Sequence, residues 1–510
     1  MQGVVVMSFI EGTSRNQTAY WSMDDMVEEE SMVRVIDLFI DKCDLSALGF
    51  TRTEPASTGR PGYAAAPLAK LYVYGYENKI RSSRKLEKEC RRNVEVMWLT
   101  ENLTPDYKSI SEFRRLNLRP LQKLFREFVK LCKSWELVGG ELFALDGSKF
   151  KASNNKKNNF SRNKLDERLM RLEVKISEYL ESLDEADNRD DAGGEAPEGL
   201  KKLLERKDLY ESYKAQLEES GESELSTVDT DAKLMSTVKG CVEAAYNVQS
   251  AVDGKHDIIV DYDVSKNSAD QGYLSIMTKR LMRQGYRKFT LLADKGYYNG
   301  SCLQKSKKFK IKAIVARQKP SNPKWQPKDF HTDNFQYDPK TDKYTCPSGA
   351  TLHAHSKKTA KRRNFFNKTA CSKCPHLDSC TSGERGYRSI TRSEYADDYE
   401  RTDRVYSENI KLYKRRQQIV EHPFGTVKRT MDGGYFLLRR RRKVRTEVAL
   451  LFLGYNLKRA YNVLGFPTIM ERLSALSSGL LRLLRLFGAV SFNSAPDSQN
   501  FKVMISCAVA

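Results

Sequence analysis

The stretch Leu142-Phe143-Ala144-Leu145-Asp146-Gly147-Ser148 begins with four apolar residues that lead directly into an aspartate. A second stretch has the same form, Phe289-Thr290-Leu291-Leu292-Ala293-Asp294. Such runs are typical of buried strands, and ligands of open α/β sheets bind at the carboxyl ends of strands. If the two strands are neighbours in one sheet, we expect Asp146 and Asp294 to lie close together. Carboxylates suit hard cations such as Mg2+ or Mn2+, although a strand-end aspartate is more often a turn or helix cap.

A pair of such cations, about 3.5–4 Å apart, can deprotonate the attacking oxygen and stabilise the leaving oxygen of a phosphodiester reaction. A centre of this kind commonly takes a third carboxylate. The best candidate is Glu421, because it stands in a basic stretch that could hold a DNA backbone. Pro423 disfavours helix at His422, so a kink or a new helix is expected there. Whether Glu421 shares a face with Lys428 depends on that local geometry.

The charge of the chain points to a polyanionic partner. Its 510 residues include 87 Lys and Arg against 66 Asp and Glu, a net charge of +21. Residues 166–224 carry −10, so the rest of the chain carries +31, and residues 414–445 are the densest basic stretch. Lys and Arg that neutralise phosphates gain affinity by releasing counterions, which favours nucleic acid. A basic surface that serves only solubility is the alternative.

The pattern of the chain predicts a mixed α/β protein of several parts. A composition that is 40% hydrophobic excludes a mainly disordered chain, and no stretch reaches the 18 apolar residues of a membrane span. We therefore expect a soluble, cytoplasmic protein without a membrane partner. The predicted parts are a tail at 1–30, a helical DNA-binding domain at 31–140, an α/β catalytic core at 141–320 with a helical insert at 160–225, a Cys-rich insert at 321–400, the rest of the core at 401–470, and a tail at 471–510 with an amphipathic helix.

Three finer predictions accompany these boundaries. Residues 165–217 favour two antiparallel helices joined by a loop, and the Asp-Gly pair at 253–254 predicts a β-hairpin over 243–264. Residues 312–316 predict one further strand. In the helical domain, the segment 75–92 predicts a basic helix face that could enter a DNA groove or could simply be solvated.

Four cysteines lie within 35 residues, and their spacing is typical of a structural Zn2+ site rather than of a disulfide framework. They are Cys346, Cys371, Cys374 and Cys380. A histidine could replace one thiolate, the candidates being His353, His355 and His376. A redox role and buried, unliganded cysteines are the alternatives.

Three blocks of the sequence resemble the active-site blocks of DDE transposases from bacterial insertion sequences. The resemblance is strongest to insertion-sequence group eleven-eighty-two, within the insertion-sequence-four-like DDE superfamily. With its supporting segments it spans about residues 65–465, most of the chain, and three active-site blocks carry it. They are Leu145-Asp146-Gly147-Ser148-Lys149-Phe150-Lys151-Ala152, Ala293-Asp294-Lys295-Gly296-Tyr297-Tyr298 and Val420-Glu421-His422-Pro423-Phe424-Gly425-Thr426-Val427-Lys428-Arg429.

The resemblance implies an RNase H-like core, with a zinc-ribbon-like Cys-rich insert and an all-α domain before it. It also implies a DDE triad of Asp146, Asp294 and Glu421 that binds two Mg2+ or Mn2+ ions for DNA cleavage and strand transfer. Related transposases carry a Tyr, Arg, Glu, Lys signature, in which Lys428 has the expected spacing while Tyr413 and Arg416 stand one residue farther upstream. The DNA-binding residues expected on this basis are Lys428, Arg429, Arg416, Tyr413, Lys149 and Lys295.

The leading hypothesis is therefore a transposase that cleaves and joins the ends of an insertion sequence. Its partners would be double-stranded DNA, both terminal inverted repeats and target, and a second copy of the chain in a homodimer or larger assembly on DNA. Two alternatives are a DNA-binding protein derived from a transposase that no longer transposes, and a metal-dependent nuclease without strand transfer.

Overall fold

The computed structural model describes residues 16, 18, 20–55, 57, 61–187, 198–237, 240–317, 322–357, 361–382 and 385–476. Most of the two tails predicted at 1–30 and 471–510 lies outside these ranges. The amphipathic helix predicted near the carboxyl terminus, at 473–486, falls outside them beyond residue 476. Within the described ranges, no helix is long and apolar enough to cross a membrane.

The described chain is a mixture of helices and strands. The helices are α1 (Met32–Lys42), α2 (Leu45–Leu48), α3 (Ala65–Glu77), α4 (Ser83–Glu89), α5 (Val94–Leu99), α6 (Tyr107–Leu116), α7 (Leu118–Ser134), α8 (Arg162–Asp187), α9 (Glu198–Ser220), α10 (Tyr273–Arg283), α11 (Gly300–Lys308), α12 (Lys368–Ser372), α13 (Leu377–Cys380), α14 (Ala396–Glu408), α15 (Ile410–Gly425), α16 (Arg441–Leu464) and α17 (Phe466–Ser474). The strands are β1 (Leu142–Lys151), β2 (Asn159–Ser161), β3 (Glu224–Ser226), β4 (Lys233–Ser236), β5 (Val242–Asp253), β6 (Ile259–Ser265), β7 (Thr290–Ala293), β8 (Lys312–Val315), β9 (Gln336–Asp338), β10 (Lys343–Thr345), β11 (Thr351–Ala354), β12 (Arg362–Phe366) and β13 (Ile390–Ser393).

A six-stranded mixed sheet forms the centre of the molecule. Its order is β4-β5-β1-β7-β8, and β6 also pairs with β5. β1 and β5 are antiparallel, as are β5 and β6, whereas β1, β7 and β8 are parallel to one another. The hairpin predicted over 243–264 and the strand predicted over 312–316 are thereby confirmed.

β1 is longer than the short strand that the sequence predicts. It continues through Gly147 to Lys151, because its whole length pairs with β5. Its pairing with β7, in contrast, is limited to the first three residues and ends at Ala144. Asp146 therefore does not end the strand, but it stands just beyond the point where β1 loses its parallel neighbour.

The N-terminal helices share one apolar core with the central sheet. Local signals begin several of them: the Ser31 side chain caps α1 and the Asp106 side chain caps α6. Helix α16 joins the two parts, because it packs on α3 and α7 on one side and on β6 on the other. The basic segment predicted as one helix face at 75–92 is interrupted between α3 and α4. There Arg81 is buried and pairs with the buried Glu447, so this basic residue stabilises the interior and does not belong to an exposed basic face.

The insert between β2 and β3 is an antiparallel pair of helices, as predicted. Ion pairs join Arg162 to Glu218, Asp166 to Lys214 and Glu173 to Lys207, so residue numbers rise along α8 as they fall along α9. The pair has a small apolar core of its own, separate from that of the sheet.

Residues 336–393 form a second sheet that the sequence analysis missed. Its five strands follow the order β13-β12-β11-β10-β9 and are antiparallel throughout. The strands are three to five residues long and have few buried residues, so they carry too little apolar alternation to be recognised. Five buried apolar residues make its core: Phe335, Tyr344, Leu352, Phe365 and Ile390.

Helix α15 runs through Pro423 without the start of a new helix. It passes directly into π-helical turns at Thr426–Thr430. A change from α to π winding alters which residues share a face. Regular helix therefore does not connect Glu421 to Lys428.

Candidate active site

Asp146 and Asp294 stand side by side at the carboxyl end of the β1–β7 pair. Ala144 is aligned with Leu292 in the parallel register, so each aspartate lies two residues beyond an aligned pair. Arg416 of α15 donates to Asp146 Oδ1 from Nη1 at 3.4 Å. Asp294 Oδ1 accepts the backbone N–H of Gly296 at 2.8 Å and so caps the short 3₁₀ turn at Lys295–Tyr297. Asp294 thus acts as a turn cap, and the register also places it beside Asp146.

The site disfavours the charged form of Asp146. Burial raises the pKa of its carboxyl to about 6, the Arg416 guanidinium opposes that rise, and the nearby carboxylates of Asp294 and Asp270 add to it. A carboxyl group whose pKa is raised in this way is characteristic of functional sites, and a nearby cation would favour its charged form.

Asp270, in the loop between β6 and α10, is a residue that the sequence analysis missed. Its Oδ1 accepts hydrogen bonds from Asn247 Nδ2 at 2.8 Å and from Gln249 Nε2 at 2.6 Å. Gln249 in turn accepts the hydroxyl of the buried Tyr297 through Oε1. The loop at 266–272 has no hydrophobic period and no motif, so the local sequence gives no signal that Asp270 belongs to the site.

Helix α15 brings two of the expected DNA-binding residues to the aspartate pair. The Arg416 guanidinium lies 6.0 Å from the ring centre of Tyr413. Burial raises the pKa of Tyr413, Arg416 opposes the rise and Asp294 contributes to it, so the phenol shares the electrostatic environment of the pair.

Glu421 is not joined to the aspartate pair by any described contact. Its side chain is exposed and accepts a hydrogen bond from Gln417 Nε2 at 2.8 Å. At 3.6 residues per turn it stands about 140° around the helix from Arg416, the residue that contacts Asp146. The structure therefore brings together the first two members of the predicted triad and leaves the third on another face of α15.

Lys428 faces β1 rather than solvent. Its Nζ donates to Ser148 Oγ at 2.7 Å and to the backbone oxygen of Lys149 at 2.8 Å. Burial lowers its pKa to about 8, with a partial offset from Asp146. Of the other basic residues expected to bind DNA, Lys295 and Arg429 are exposed and Lys149 is half-buried.

The four predicted zinc-binding cysteines surround one cavity of about 240 Å³ beside the second sheet. Burial raises the pKa of the Cys380 thiol, and the other three thiols contribute to that rise, which places them close together. The histidines considered as substitutes do not line the cavity: His376 packs on Phe330 and His355 stacks on Phe366.

Neither cluster has the geometry of a complete metal site. Among the residues that the structure describes, no group of three or more His, Cys, Asp or Glu side chains is arranged to hold a metal ion.

Comparison with known proteins identifies two transposase domains. Residues 21–116 match the family model of the transposase domain DUF772, and residues 345–461 match the transposase DDE domain. No curated protein matches the chain. Among solved structures, a piggyBac transposase synaptic complex with hairpin DNA aligns with 94% of this chain and 85% of its own, at 9% identity and a TM-score of 0.29, too low to support a conclusion. Two regions of the chain, one near its amino-terminal end and one toward its carboxyl terminus, are thus similar to transposase domains.

Proposed function

We propose that this protein is a DDE transposase that cleaves DNA at the ends of an insertion sequence and transfers the cut strand to target DNA. The observation that carries the proposal is the pairing of Asp146 with Asp294 on neighbouring parallel strands, with Arg416 beside them. The matching DDE domain covers Arg416 and Glu421 but neither aspartate. The strand register is therefore support that does not depend on the family model.

The aspartate pair has the chemistry of a Mg2+ or Mn2+ centre. Both donors are carboxylates, the ligand type that these hard cations prefer, and the Asp146 side chain is only half-buried beside Arg416. Mg2+ is usually held by one or two carboxylates together with substrate phosphates and water, rather than by a complete protein cage. Two facing aspartates therefore suffice for a centre that DNA completes.

In this proposal, each side chain has a defined part. Asp146 and Asp294 would hold divalent cations, which polarise the scissile phosphodiester and lower the pKa of the attacking water. Arg416 orients the Asp146 carboxylate through its 3.4 Å contact and leaves its remaining N–H groups for a phosphate. Lys428 fixes the strand after Asp146 through Ser148 and the Lys149 backbone.

Glu421 remains our proposed third carboxylate. Its side chain is exposed and linked only to Gln417 among the described contacts. Movement of the α15 end, where α winding gives way to π winding, would be needed to turn it toward the aspartates. DNA binding is the event that we expect to produce this movement.

We propose that DNA lies along the exposed basic surface around α15 and the start of α16. The run at 439–443 is only partly available, because Arg441 pairs with the buried Asp263. Arg445, just after the run, pairs with the same carboxylate and likewise stabilises the core. The exposed members of the run are Arg439, Arg440, Arg442 and Lys443. With Tyr413, Lys149, Lys295 and Arg429 they form the surface to which we assign the phosphate contacts.

The remaining assignments extend the same proposal. The catalytic core at 141–320 and 401–470 would be RNase H-like, which is supported by the antiparallel strands β1, β5 and β6 beside β7 and β8, both parallel to β1. The helices at 31–140 would bind the terminal repeats, and residues 321–400 would be a zinc-ribbon-like insert held by one Zn2+ on the four cysteines. We place the protein in a bacterial-type cytoplasm, on the nucleoid, as a dimer or larger assembly on DNA.

The position of Glu421 favours one second candidate, a DNA-binding protein derived from a transposase that no longer cuts DNA. Strand transfer separates the possibilities. A DNA end with the sequence flanking this gene, cut in advance to expose its 3′-OH, is incubated with the protein, Mn2+ and a plasmid. The proposal predicts joined product. Specific binding without cleavage or joining would favour the second candidate, and cleavage without joining would indicate a simple nuclease.

A further inference from the structure

We propose that Asp270 is a positioning residue of the centre formed by Asp146 and Asp294, and that its carboxylate increases the affinity of this centre for a divalent cation. The inference rests on the proposed function, since it assigns a role to a residue behind the same aspartate pair.

Asp270 approaches β1 from the face of the sheet opposite to Asp146. Gln249 is aligned with Gly147 and Asn247 with Lys149 in the β1–β5 register, and side chains alternate between faces along a strand. Both amides therefore point to the other face from Asp146, and both donate to Asp270 Oδ1. The loop carrying Asp270 is thus fixed against β1 at the level of the catalytic pair.

Two glycines leave the space that Asp270 fills. A Cβ atom on Gly147 would overlap Asp270 Oδ1 and Gln249 Nε2. A Cβ atom on Gly296 would lie 3.1 Å from Asp270 Oδ2 and 3.0 Å from Asp294 Oδ1. The two oxygens of Asp270 therefore lie close to where side chains would begin at Gly147 and Gly296, one residue after Asp146 and two residues after Asp294.

The charge of Asp270 is only partly compensated. Among the described residues, its Oδ2 receives no hydrogen bond, while Oδ1 receives two from neutral amides. Arg416 is the cation in contact with Asp146. Three neighbouring carboxylates with one guanidinium carry excess negative charge, which a divalent cation would offset.

Asp270 can therefore act in two ways, both through its neighbours. Its hydrogen bonds fix the segment of β5 that pairs with the Asp146 region of β1, and its charge favours a cation in front of the sheet. Groups that orient metal ligands from behind typically change metal affinity by about 10–100-fold when they are replaced. This range sets the expected effect.

Asp270→Asn separates the charge from the hydrogen bonds, because the amide oxygen can still accept from Asn247 and Gln249. Mn2+ binding to the purified full-length protein is measured by calorimetry without DNA. We expect about 10–100-fold weaker binding and an unchanged melting temperature without the cation. The matched control is Asp257→Asn, on the turn of the β5–β6 hairpin and paired with Arg459, which should bind Mn2+ as the wild type does.

The outcomes separate this inference from the proposed function. Wild-type Mn2+ affinity in Asp270→Asn, with weakened binding in Asp146→Asn and Asp294→Asn, would overturn the role of Asp270 alone. Unchanged binding in all three variants would overturn the proposed metal centre and this inference with it. If Asp270→Asn fails to fold, the smaller Asp270→Ser is measured in the same way, with the same readings.

Discussion

The aspartate pair and the cysteine cluster are both predicted metal sites, but they are built differently. Asp146 and Asp294 are set by the register of two parallel strands in the centre of the protein. The cysteines lie on turns and on two helices of four and five residues beside a small second sheet. A backbone register fixes a pair of side chains before any ligand binds, whereas turns around a cavity need the ligand to fix them.

The two sites share one electrostatic property. Burial raises the pKa of Asp146 to about 6 and also raises the pKa of Cys380, so each site disfavours its own charged form. Metal binding to such groups releases protons and contributes stability. We expect the two sites to differ in how much of the stability of the surrounding fold depends on bound metal. Four predictions test the two sites.

The largest effect is expected at the cysteines. Cys371→Ser together with Cys374→Ser should remove a bound Zn2+ and destabilise the second sheet by several kcal/mol, because its core has only five buried apolar residues. Zinc content by mass spectrometry and limited proteolysis of residues 322–393 measure this. The exposed Cys241, changed to Ser, is the control. A purified wild-type protein without zinc, or a double variant that retains it, would contradict the assignment.

Gly147→Ala tests whether the sheet presets the aspartate site. The added methyl group must displace Gln249, which is buried and bonded to Tyr297, and Asp270 with it. Mn2+ affinity should fall about 10–100-fold while the protein still folds. Gly62→Ala, at a position with open space around it, serves as the control. Equal Mn2+ affinity in the two variants would show that the packing behind β1 does not set the site.

Asp146→Asn should stabilise the protein in buffer without divalent cations. The native carboxyl titrates at about pH 6 and the unfolded one at 3.8, so between these values the native state binds more protons. Wild-type stability therefore falls as pH rises through that window, and the neutral amide avoids the loss. At pH 7 the variant should be about 1–2 kcal/mol more stable in urea. A variant no more stable than wild type at pH 7 would mean that the charged carboxylate is not disfavoured.

The smallest effect is expected for Lys428→Met. Burial lowers the native pKa of the amine to about 8 from 10.5, so the unfolded chain binds its proton more tightly between these values. Wild-type stability should gain about 1 kcal/mol, after allowance for solvent screening, as pH rises from 8 to 10.5. The variant should lack this gain in urea titrations at the two pH values. The same gain in both proteins would place the titrating group elsewhere.

The sequence predicted the parts of the site that depend on strands. Asp146 and Asp294 each follow an apolar run, and a parallel register is enough to bring them together. Glu421 could not be placed in the same way, because its orientation depends on how α15 passes Pro423 into π-helical turns. Asp270 was missed because it reaches the site from a loop through two amide donors, which leave no periodic pattern in the sequence.

The second sheet was also missed because it leaves no clear local pattern in the sequence. Its strands are short and have few buried residues, and their pairing with neighbouring strands rather than their own sequence pattern defines them. The cysteine spacing nevertheless predicted a cluster, because metal ligands repeat at short intervals whatever the surrounding fold, and the four cysteines do line one cavity. That this cluster binds zinc stays a prediction.

The most direct test of the account is strand cleavage by the two aspartate variants. A DNA fragment carrying the sequence that flanks this gene is incubated with Mn2+ and wild-type protein, Asp146→Asn or Asp294→Asn, and nicked strands are resolved on a denaturing gel. The account predicts cleavage by the wild type and at least about a 1,000-fold lower rate in both variants, since metal-ion catalysis contributes several kcal/mol, with DNA affinity retained. Cleavage at the wild-type rate by either variant would contradict it.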